Sequence, residues 1–244
     1  MFRLTTISVI AFLLFAGSLC AQQDSEFGYY VDSNVVRQAE KFRKGNIIIK
    51  TNPLAIVSGE IPLYSAEFRL LGEYVTGPRT GVVLGASYLG MGLILRSALD
   101  ADSINTGYSS WDYGFNGFRL QGGFRYYIKK PGVRLTDPDF KPAPGGFYVM
   151  GLVSYSNAKY YLKQYPNEYY RFNFISYTLN VGVQFLLGDK LVLDPYWGLG
   201  YKQNQVFEVI NQSSRRINDP DLQDDFIFGS NLKINIGINM GFRF

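Results

Sequence analysis

The last thirteen residues of the chain alternate between apolar and polar side chains without a break. One face carries Leu232, Ile234, Ile236, Ile238, Met240, Phe242 and Phe244, and the other carries Lys233, Asn235, Gly237, Asn239, Gly241 and Arg243. A period of two is typical of a β-strand, and this apolar face suits a membrane-spanning strand of about 9–11 residues plus its rims. A half-buried strand of a soluble sandwich is the alternative interpretation.

Seven further segments favour strands through alternation or strand-forming residues: 46–57, 66–74, 81–95, 117–129, 147–161, 175–187 and 191–201. With the last segment they make eight, an even number and a common size for bacterial outer-membrane barrels. Closing the sheet into a barrel also gives the backbone groups of every edge strand a hydrogen-bonding partner, because lipid offers none to an open sheet edge. We therefore expect an all-β fold, a transmembrane antiparallel up-and-down β-barrel of about eight strands, over residues 46–244.

The connections between these strands support this topology in part. Counted from a periplasmic N-terminus, 58–62, 97–116, 164–170 and 208–229 fall outside, whereas 76–80, 130–146 and 188–190 fall inside. Two of the three inner connections are short, as barrels require, but the proline-rich 130–146 connection is long and counts against the topology. Pro53 is a second misfit, because proline removes a ladder hydrogen bond from a paired strand.

Residues 1–21 have the three parts of a secretory signal peptide. Arg3 supplies the positive charge, residues 7–15 the apolar core and residues 18–21 the cleavage stretch. Cleavage before Gln22 would leave a mature chain without cysteine, so no disulfide is expected. Cys20 raises the alternative of a lipid anchor, although Leu19 stands where that motif wants a small residue. We expect export to the bacterial outer membrane.

A polar leader, residues 22–45, lies between the signal and the first strand. Ser33 is placed to cap a short helix that ends at Gly45 and has Val35, Val36, Ala39 and Phe42 on one face. So short a helix is marginal in water by itself. A helix across the periplasmic mouth and a disordered leader both remain open.

Charged residues recur on the face of the predicted strands that should point into the barrel. They are Lys50, Glu67, Arg69, Glu73, Arg119, Arg125, Asp194, Lys202, Lys233 and Arg243. The interior of an eight-stranded barrel is just filled by side chains. The favoured interpretation is a neutralising salt-bridge network that plugs the barrel, with acid/base work by paired carboxylates or a narrow ion path as alternatives.

The chain contains no histidine. Outer-membrane barrel enzymes such as omptin-type proteases and phospholipases use a histidine as general base or as its partner. Zinc and copper sites without histidine or mature cysteine are equally disfavoured, and a net charge of +4 is too small to indicate nucleic-acid binding. We expect neither enzymatic activity nor a cofactor.

An acidic outer segment raises a calcium hypothesis. Asp219, Asp221, Asp224 and Asp225 are close in sequence, and calcium prefers oxygen ligands. The segment lacks EF-hand spacing, so a solvated loop is favoured.

Two aromatic groups are candidates for contacts with other molecules. An outer loop carries Tyr108, Trp111, Tyr113 and Phe115, and exposed loops on rigid scaffolds often bind partners. Phe242 and Phe244 end the last strand and are similar to the terminal signal read by the barrel-assembly machinery. The expected partners are outer-membrane lipid, that machinery and an envelope protein.

Several short stretches resemble small outer-membrane β-barrels of unknown function from Bacteroidota, which are broadly porin-like and OmpA/OmpX-like eight-stranded proteins. They are 48–54, 117–127, 145–149 and the 188–190 turn that leads to 193–195. The likeness covers about residues 46–244. It implies a barrel in the envelope and supplies no catalytic residues.

Three functions remain open for such a chain. The leading hypothesis is a non-enzymatic barrel with a structural or partner-docking role in the cell envelope. The second is a narrow channel or transporter for small ions or lipids. The third is a soluble binding sandwich.

Overall fold

A computed structural model describes residues 47–56, 65–77, 79–128, 145–187, 190–217 and 231–244. The strands of this part are β1 (Ile47–Thr51), β2 (Ser65–Val75), β3 (Thr80–Met91), β4 (Tyr113–Tyr127), β5 (Gly146–Leu162), β6 (Glu168–Leu187), β7 (Leu191–Ile210), β8 (Ser213–Arg216) and β9 (Leu232–Arg243). The signal peptide with Cys20, the leader, most of the 130–146 connection and the acidic segment lie outside the described residues.

Each strand pairs antiparallel with the next along the chain, from β1 to β7, and β9 then pairs with both β7 and β1. Eight strands therefore form a closed ring, and the expected antiparallel up-and-down barrel is confirmed. The alternation of polar and apolar side chains suits this fold. In a closed ring, one face of every strand points into the barrel and the other points outward. We call the end where β1 begins and β9 ends the near rim, and the opposite end the far rim.

At the far rim β8 extends β7 outside the ring. A two-residue turn joins them, with Asn211 and Gln212 at φ 46° and 70°. Positive φ at both central residues is the geometry that matches the twist of a tight hairpin. The strand predicted to end at residue 201 therefore continues to Ile210, and the connection predicted over 208–229 begins as a hairpin.

The first predicted strand, 46–57, was too long. β1 ends at Thr51, and Pro53–Ile56 form a 3-10 helix. The proline nitrogen cannot donate to the ladder, and Asn52 instead closes the turn by accepting a hydrogen bond from the Ala55 backbone nitrogen on its Oδ1 at 3.2 Å. Pro53 is thus no misfit, since it begins a turn.

The predicted outer loop 97–116 was also wrong in part. Strand β3 ends at Met91 rather than at residue 95, and a helix, α1 (Leu93–Thr106), follows it. Gly107 ends α1 in the left-handed conformation at φ 74°, which favours glycine. Strand β4 then begins at Tyr113. No helix in the described part of the chain is long and apolar enough to cross a membrane.

An apolar cluster fills the barrel interior at the near rim. We call five of its buried members the apolar collar: Ile48, Leu71, Val75, Val83 and Val192. They come from β1, β2, β3 and β7, and Tyr127 and Tyr148 pack in the same cluster. These apolar side chains are buried beside the charged residues of the inner face.

Candidate functional site

The structure places eight of the ten charged residues predicted for the interior in buried positions. These are Lys50, Glu67, Arg69, Glu73, Arg119, Arg125, Asp194 and Lys202. They come from β1, β2, β4 and β7, where inward positions recur at every second residue. With Lys233, which is half-buried, they form two clusters with different charge.

The balanced cluster consists of Lys50, Arg125, Glu73 and Asp194. Lys50 Nζ lies 2.5 Å from Glu73 Oε2 and 2.8 Å from Asp194 Oδ2. Arg125 lies 3.1 Å and 3.0 Å from the same two oxygens, so each cation contacts both anions. Gln184 Oε1 accepts a hydrogen bond from each cation, at 2.6 Å for Arg125. The cluster carries no net charge, and each cation is bonded to both carboxylates and to Gln184.

Two buried tyrosines complete the balanced cluster. Tyr127 donates its hydroxyl to Glu73 Oε1, and Tyr148 donates to Asp194 Oδ1 at 2.6 Å. The Arg125 guanidinium also lies 3.8 Å from the centre of the Tyr148 ring, a cation–π contact. Each carboxylate of the cluster is thus bonded to two cations and a hydroxyl group, which offsets the cost of keeping it charged away from water.

The cationic cluster consists of Glu67, Arg69, Arg119, Lys202 and Lys233, further toward the far rim. Arg69 donates hydrogen bonds to both carboxylate oxygens of Glu67, at 2.7 and 2.9 Å, and Arg119 Nη1 donates to Glu67 Oε2 at 2.7 Å. Arg69 also donates to the Tyr196 hydroxyl at 2.9 Å. The single carboxylate of this cluster is thus shared by two guanidinium groups.

The two lysines of the cationic cluster lie beside these arginines. Lys202 Nζ lies 5.6 Å from the centre of the Phe174 ring. Lys233 on β9 interacts electrostatically with Arg119, Lys202 and Glu67. Arg243, the tenth predicted residue, is half-buried at the near rim and belongs to neither cluster.

A small residue makes room for the Tyr196 side chain. A Cβ atom on Gly237 would come within 2.5 Å of the Tyr196 hydroxyl oxygen, which accepts hydrogen bonds from Arg69 and Asn52. Glycine is the residue that permits so close an approach. The alternating final strand thus contributes an inward gap as well as an outward apolar face.

The arrangement is suited to holding strands together. Each carboxylate of the balanced cluster is bonded to two cations and a tyrosine, so its oxygens are committed to protein partners. Within the described residues, no group of three His, Cys, Asp or Glu side chains is placed to hold a metal ion. Chemically, the balanced cluster carries fixed and mutually compensating charge.

The aromatic residues predicted for an outer loop lie in two kinds of structure. Tyr108 and Trp111 are in the connection after α1, whereas Tyr113 and Phe115 belong to β4. Tyr113 stacks on Tyr160 of β5 at 5.4 Å between ring centres. Trp111 is 73% exposed and lies near Arg96 of α1. Of the four, Trp111 offers the largest exposed surface fraction.

The polar partners of the charged residues were not among the residues predicted from the sequence. Tyr127, Tyr148, Gln184 and Tyr196 occupy inward positions and bond to the ions. The alternation pattern contained part of the signal, because Tyr127 shares the odd positions of Arg119 and Arg125 on β4, and Tyr196 shares the even positions of Asp194 and Lys202 on β7. Tyr148 and Gln184 lie on β5 and β6, which carry none of the ten predicted charges. Their charge-neutral side chains gave no reason to select them.

Searches with the chain found no matching protein-family model and no matching curated protein.

Proposed function

We propose that this chain is a non-enzymatic barrel of the bacterial outer membrane, with a structural or partner-docking role in the cell envelope. The observation that carries the proposal is the exposed apolar band on the outer face. Every strand of the ring contributes to it: Ile49, Leu70, Leu84, Leu120, Val153, Leu179, Leu199 and Ile236 are each exposed. A soluble monomer rarely exposes so large a contiguous apolar surface.

Strand length supports the same proposal. Strands β2, β3 and β9 have 11, 12 and 12 residues, close to the ~9–11 that a tilted strand needs to cross a bilayer. Strands β6 and β7 have 20 residues each, and their extra residues lie beyond the far rim. Helix α1 has no buried residue and is joined at the same end. A protruding sheet and an exposed helix give a partner surface to contact.

The closed interior argues against a pore. The apolar collar and the balanced cluster lie together near one end, where the cluster ties β1, β2, β4 and β7 together across the barrel interior. A narrow channel or transporter for ions or lipids, the second candidate from the sequence, would require these contacts to open.

Fractionation of cells tests the location. The folded protein should sediment with outer membranes and change its gel mobility when boiled, since closed barrels resist unfolding by detergent. A mature protein that stays in the soluble fraction and runs identically with and without boiling would contradict the proposal.

Planar-bilayer recording tests the closed interior. The purified protein should give no steady single-channel steps. A variant with Lys50, Glu73, Arg125 and Asp194 all changed to serine keeps the net charge and removes the balanced cluster, so it should conduct if it folds by the gel test. Steady steps from the unmodified protein would favour the channel hypothesis.

Cross-linking in isolated membranes then tests docking, and capture of lipid alone would favour a purely structural role.

A further inference from the structure

A row of cations crosses the sheet that protrudes beyond the far rim. Lys159 on β5 lies directly opposite Arg171 on β6. Arg171 lies opposite Phe207 on β7, and Phe207 lies opposite Arg216 on β8. Residues that lie directly opposite on neighbouring strands point to the same face of a sheet, so the three cations share one face. We call Lys159, Arg171 and Arg216 the cation row.

The cation row lies on the outer face of the barrel wall, beyond the exposed apolar band. Along β5, Lys159 shares the odd positions of Val153 and Tyr155, which are both exposed. Along β6, Arg171 shares the odd positions of the exposed Leu179. Side chains return to the same face of a strand at every second residue. The outer face of this wall therefore changes from apolar to cationic on the way out of the barrel.

The length of β5 places the cation row at the depth of lipid headgroups. Phe147 is exposed on the same face at the near end of β5. At ~3.3 Å per residue, the rise from Phe147 to Lys159 is about 40 Å along the strand. A strand tilt of about 40° reduces this rise to about 30 Å along the membrane normal, which is roughly the thickness of the hydrocarbon core. A strand that enters the core at Phe147 thus leaves it near Lys159.

The cations of the row have aromatic neighbours and no acidic ones. In the described part of the chain none of them forms an ion pair. Strands β4, β5 and β8 contain no carboxylate, and those of β6 and β7 lie at positions of the opposite parity. Lys159 Nζ lies 4.8 Å from the centre of the Tyr169 ring, and the Arg171 guanidinium lies 4.9 Å from that of Phe207. Arg171 also donates a long hydrogen bond of 3.4 Å to Ser214 Oγ.

The pairing of Lys159 with Arg171 is costly for the sheet by itself. Like charges directly opposite on neighbouring strands are destabilising. An anion that lies between the two side chains would turn this repulsion into two attractions. The wall therefore gains most from a ligand that brings negative charge to its outer face.

A row of amides separates the cation row from the apolar band. Asn157 lies opposite Asn173, and Asn173 lies opposite Gln205. Asn157 Nδ2 donates a hydrogen bond to Asn173 Oδ1 at 2.5 Å. The outer face thus presents apolar, then amide, then cationic side chains. A lipid has the same order, with acyl chains, then polar ester or amide linkages, then phosphate.

We propose that the cation row binds the phosphate of an anionic lipid headgroup in the membrane leaflet at the far rim. This inference rests on the proposed function, because it requires the apolar band to lie in a bilayer. Lysine and arginine donate charge-assisted hydrogen bonds to phosphate oxygens, and basic clusters beside a membrane attract anionic lipids. Free phosphate carries the charge but has no acyl chains to lie along the apolar band, so a lipid is the better match.

Native mass spectrometry of the full folded chain in neutral detergent micelles tests the headgroup preference. Phosphatidylglycerol and phosphatidylcholine with identical acyl chains are titrated separately, and the bound fraction gives a dissociation constant for each. Each lysine or arginine beside anionic lipid contributes roughly five-fold in affinity, so phosphatidylglycerol should bind about ten-fold more tightly or better. Equal dissociation constants would overturn the proposal. Displacement of phosphatidylglycerol by an equal concentration of inorganic phosphate would overturn the assignment to a lipid.

Two matched double variants locate the preference. Lys159→Gln with Arg216→Gln removes two exposed cations of the row and should reduce the preference about five-fold or more. Arg96→Gln with Arg215→Gln removes two cations from exposed positions at the same end of the barrel, with Arg215 opposite Glu208 on the other face of β8. This pair should leave the preference unchanged. Equal loss in both pairs would indicate general charge attraction and would overturn the site.

The result can be separated from the test of location. A chain that sediments with outer membranes but binds both lipids equally overturns the lipid site alone. A chain that stays in the soluble fraction overturns the proposed function and, with it, the membrane lipid as the occupant of the cation row.

Discussion

Arg125 on β4 and Asp194 on β7 form an ion pair of 3.0 Å across the barrel interior. The two strands are three places apart in the ring, so the contact joins walls that share no backbone hydrogen bond. Lys50 from β1 contacts the same carboxylate oxygen. These ion pairs therefore link walls of the barrel to one another, in addition to the backbone hydrogen bonds that close the ring.

Removing one carboxylate from these ion pairs should destabilise the protein. Asp194→Asn removes one of the two carboxylates and leaves Lys50 and Arg125 facing Glu73 alone. Loss of one partner from a buried ion pair costs about 3–5 kcal/mol. The free energy of unfolding, measured with urea in lipid vesicles, should fall by that order.

The double variant Lys50→Met with Asp194→Asn tests whether charge balance is the cause. It restores equal numbers of cations and anions, so its destabilisation should be smaller than the sum of the two single changes. Strictly additive effects would show that packing, and not charge, explains the loss.

Filling the gap beside Tyr196 should also be costly. In Gly237→Ala the new methyl group would overlap the Tyr196 and Asn52 side chains, and overpacking typically costs about 1–3 kcal/mol. Gly151→Ala is the control, because a Cβ there meets no atom within 4 Å. Similar urea midpoints for the two variants would argue against the tight approach.

Fluorescence quenching of the two tryptophans should show that one contacts lipid and the other contacts water. Trp197 lies on the outer face of β7 and is 48% exposed, whereas Trp111 lies beyond the far rim. Brominated lipid chains should quench Trp197 in the Trp111→Phe variant, and a water-soluble quencher should quench Trp111 in the Trp197→Phe variant. Equal quenching of both by the lipid would contradict the proposed membrane position.

The C-terminal aromatic residue should matter for assembly beyond its packing. Phe244 is 71% exposed and its backbone nitrogen donates to Ile47, so Phe244→Ala removes little burial. If the terminus is an assembly signal, this change should lower outer-membrane yield several-fold. Phe147→Ala is the matched control, since Phe147 is 66% exposed at the start of β5. Equal yields from the two variants would argue against a signal.

The predictions from sequence succeeded where a residue's position follows from alternation. Inward placement of Glu67, Arg69 and Glu73 needs no more than the period of two along β2, and the structure has all three buried. They failed where a local breaker decides the outcome, as at Pro53. They also failed at α1, because the 93–106 segment lies beyond the paired strands and its helix buries no residue that a periodic pattern would mark.

The sequence by itself determined that the chain forms strands with one apolar and one polar face, because the two faces of a strand alternate at every residue. It also determined which charges share the inner face. Only the tertiary structure decided that Lys50, Arg125, Glu73 and Asp194 meet while Glu67 is left among four cations. Strand tilt and register in a closed ring bring residues more than a hundred positions apart within bonding distance, and no local pattern encodes that distance.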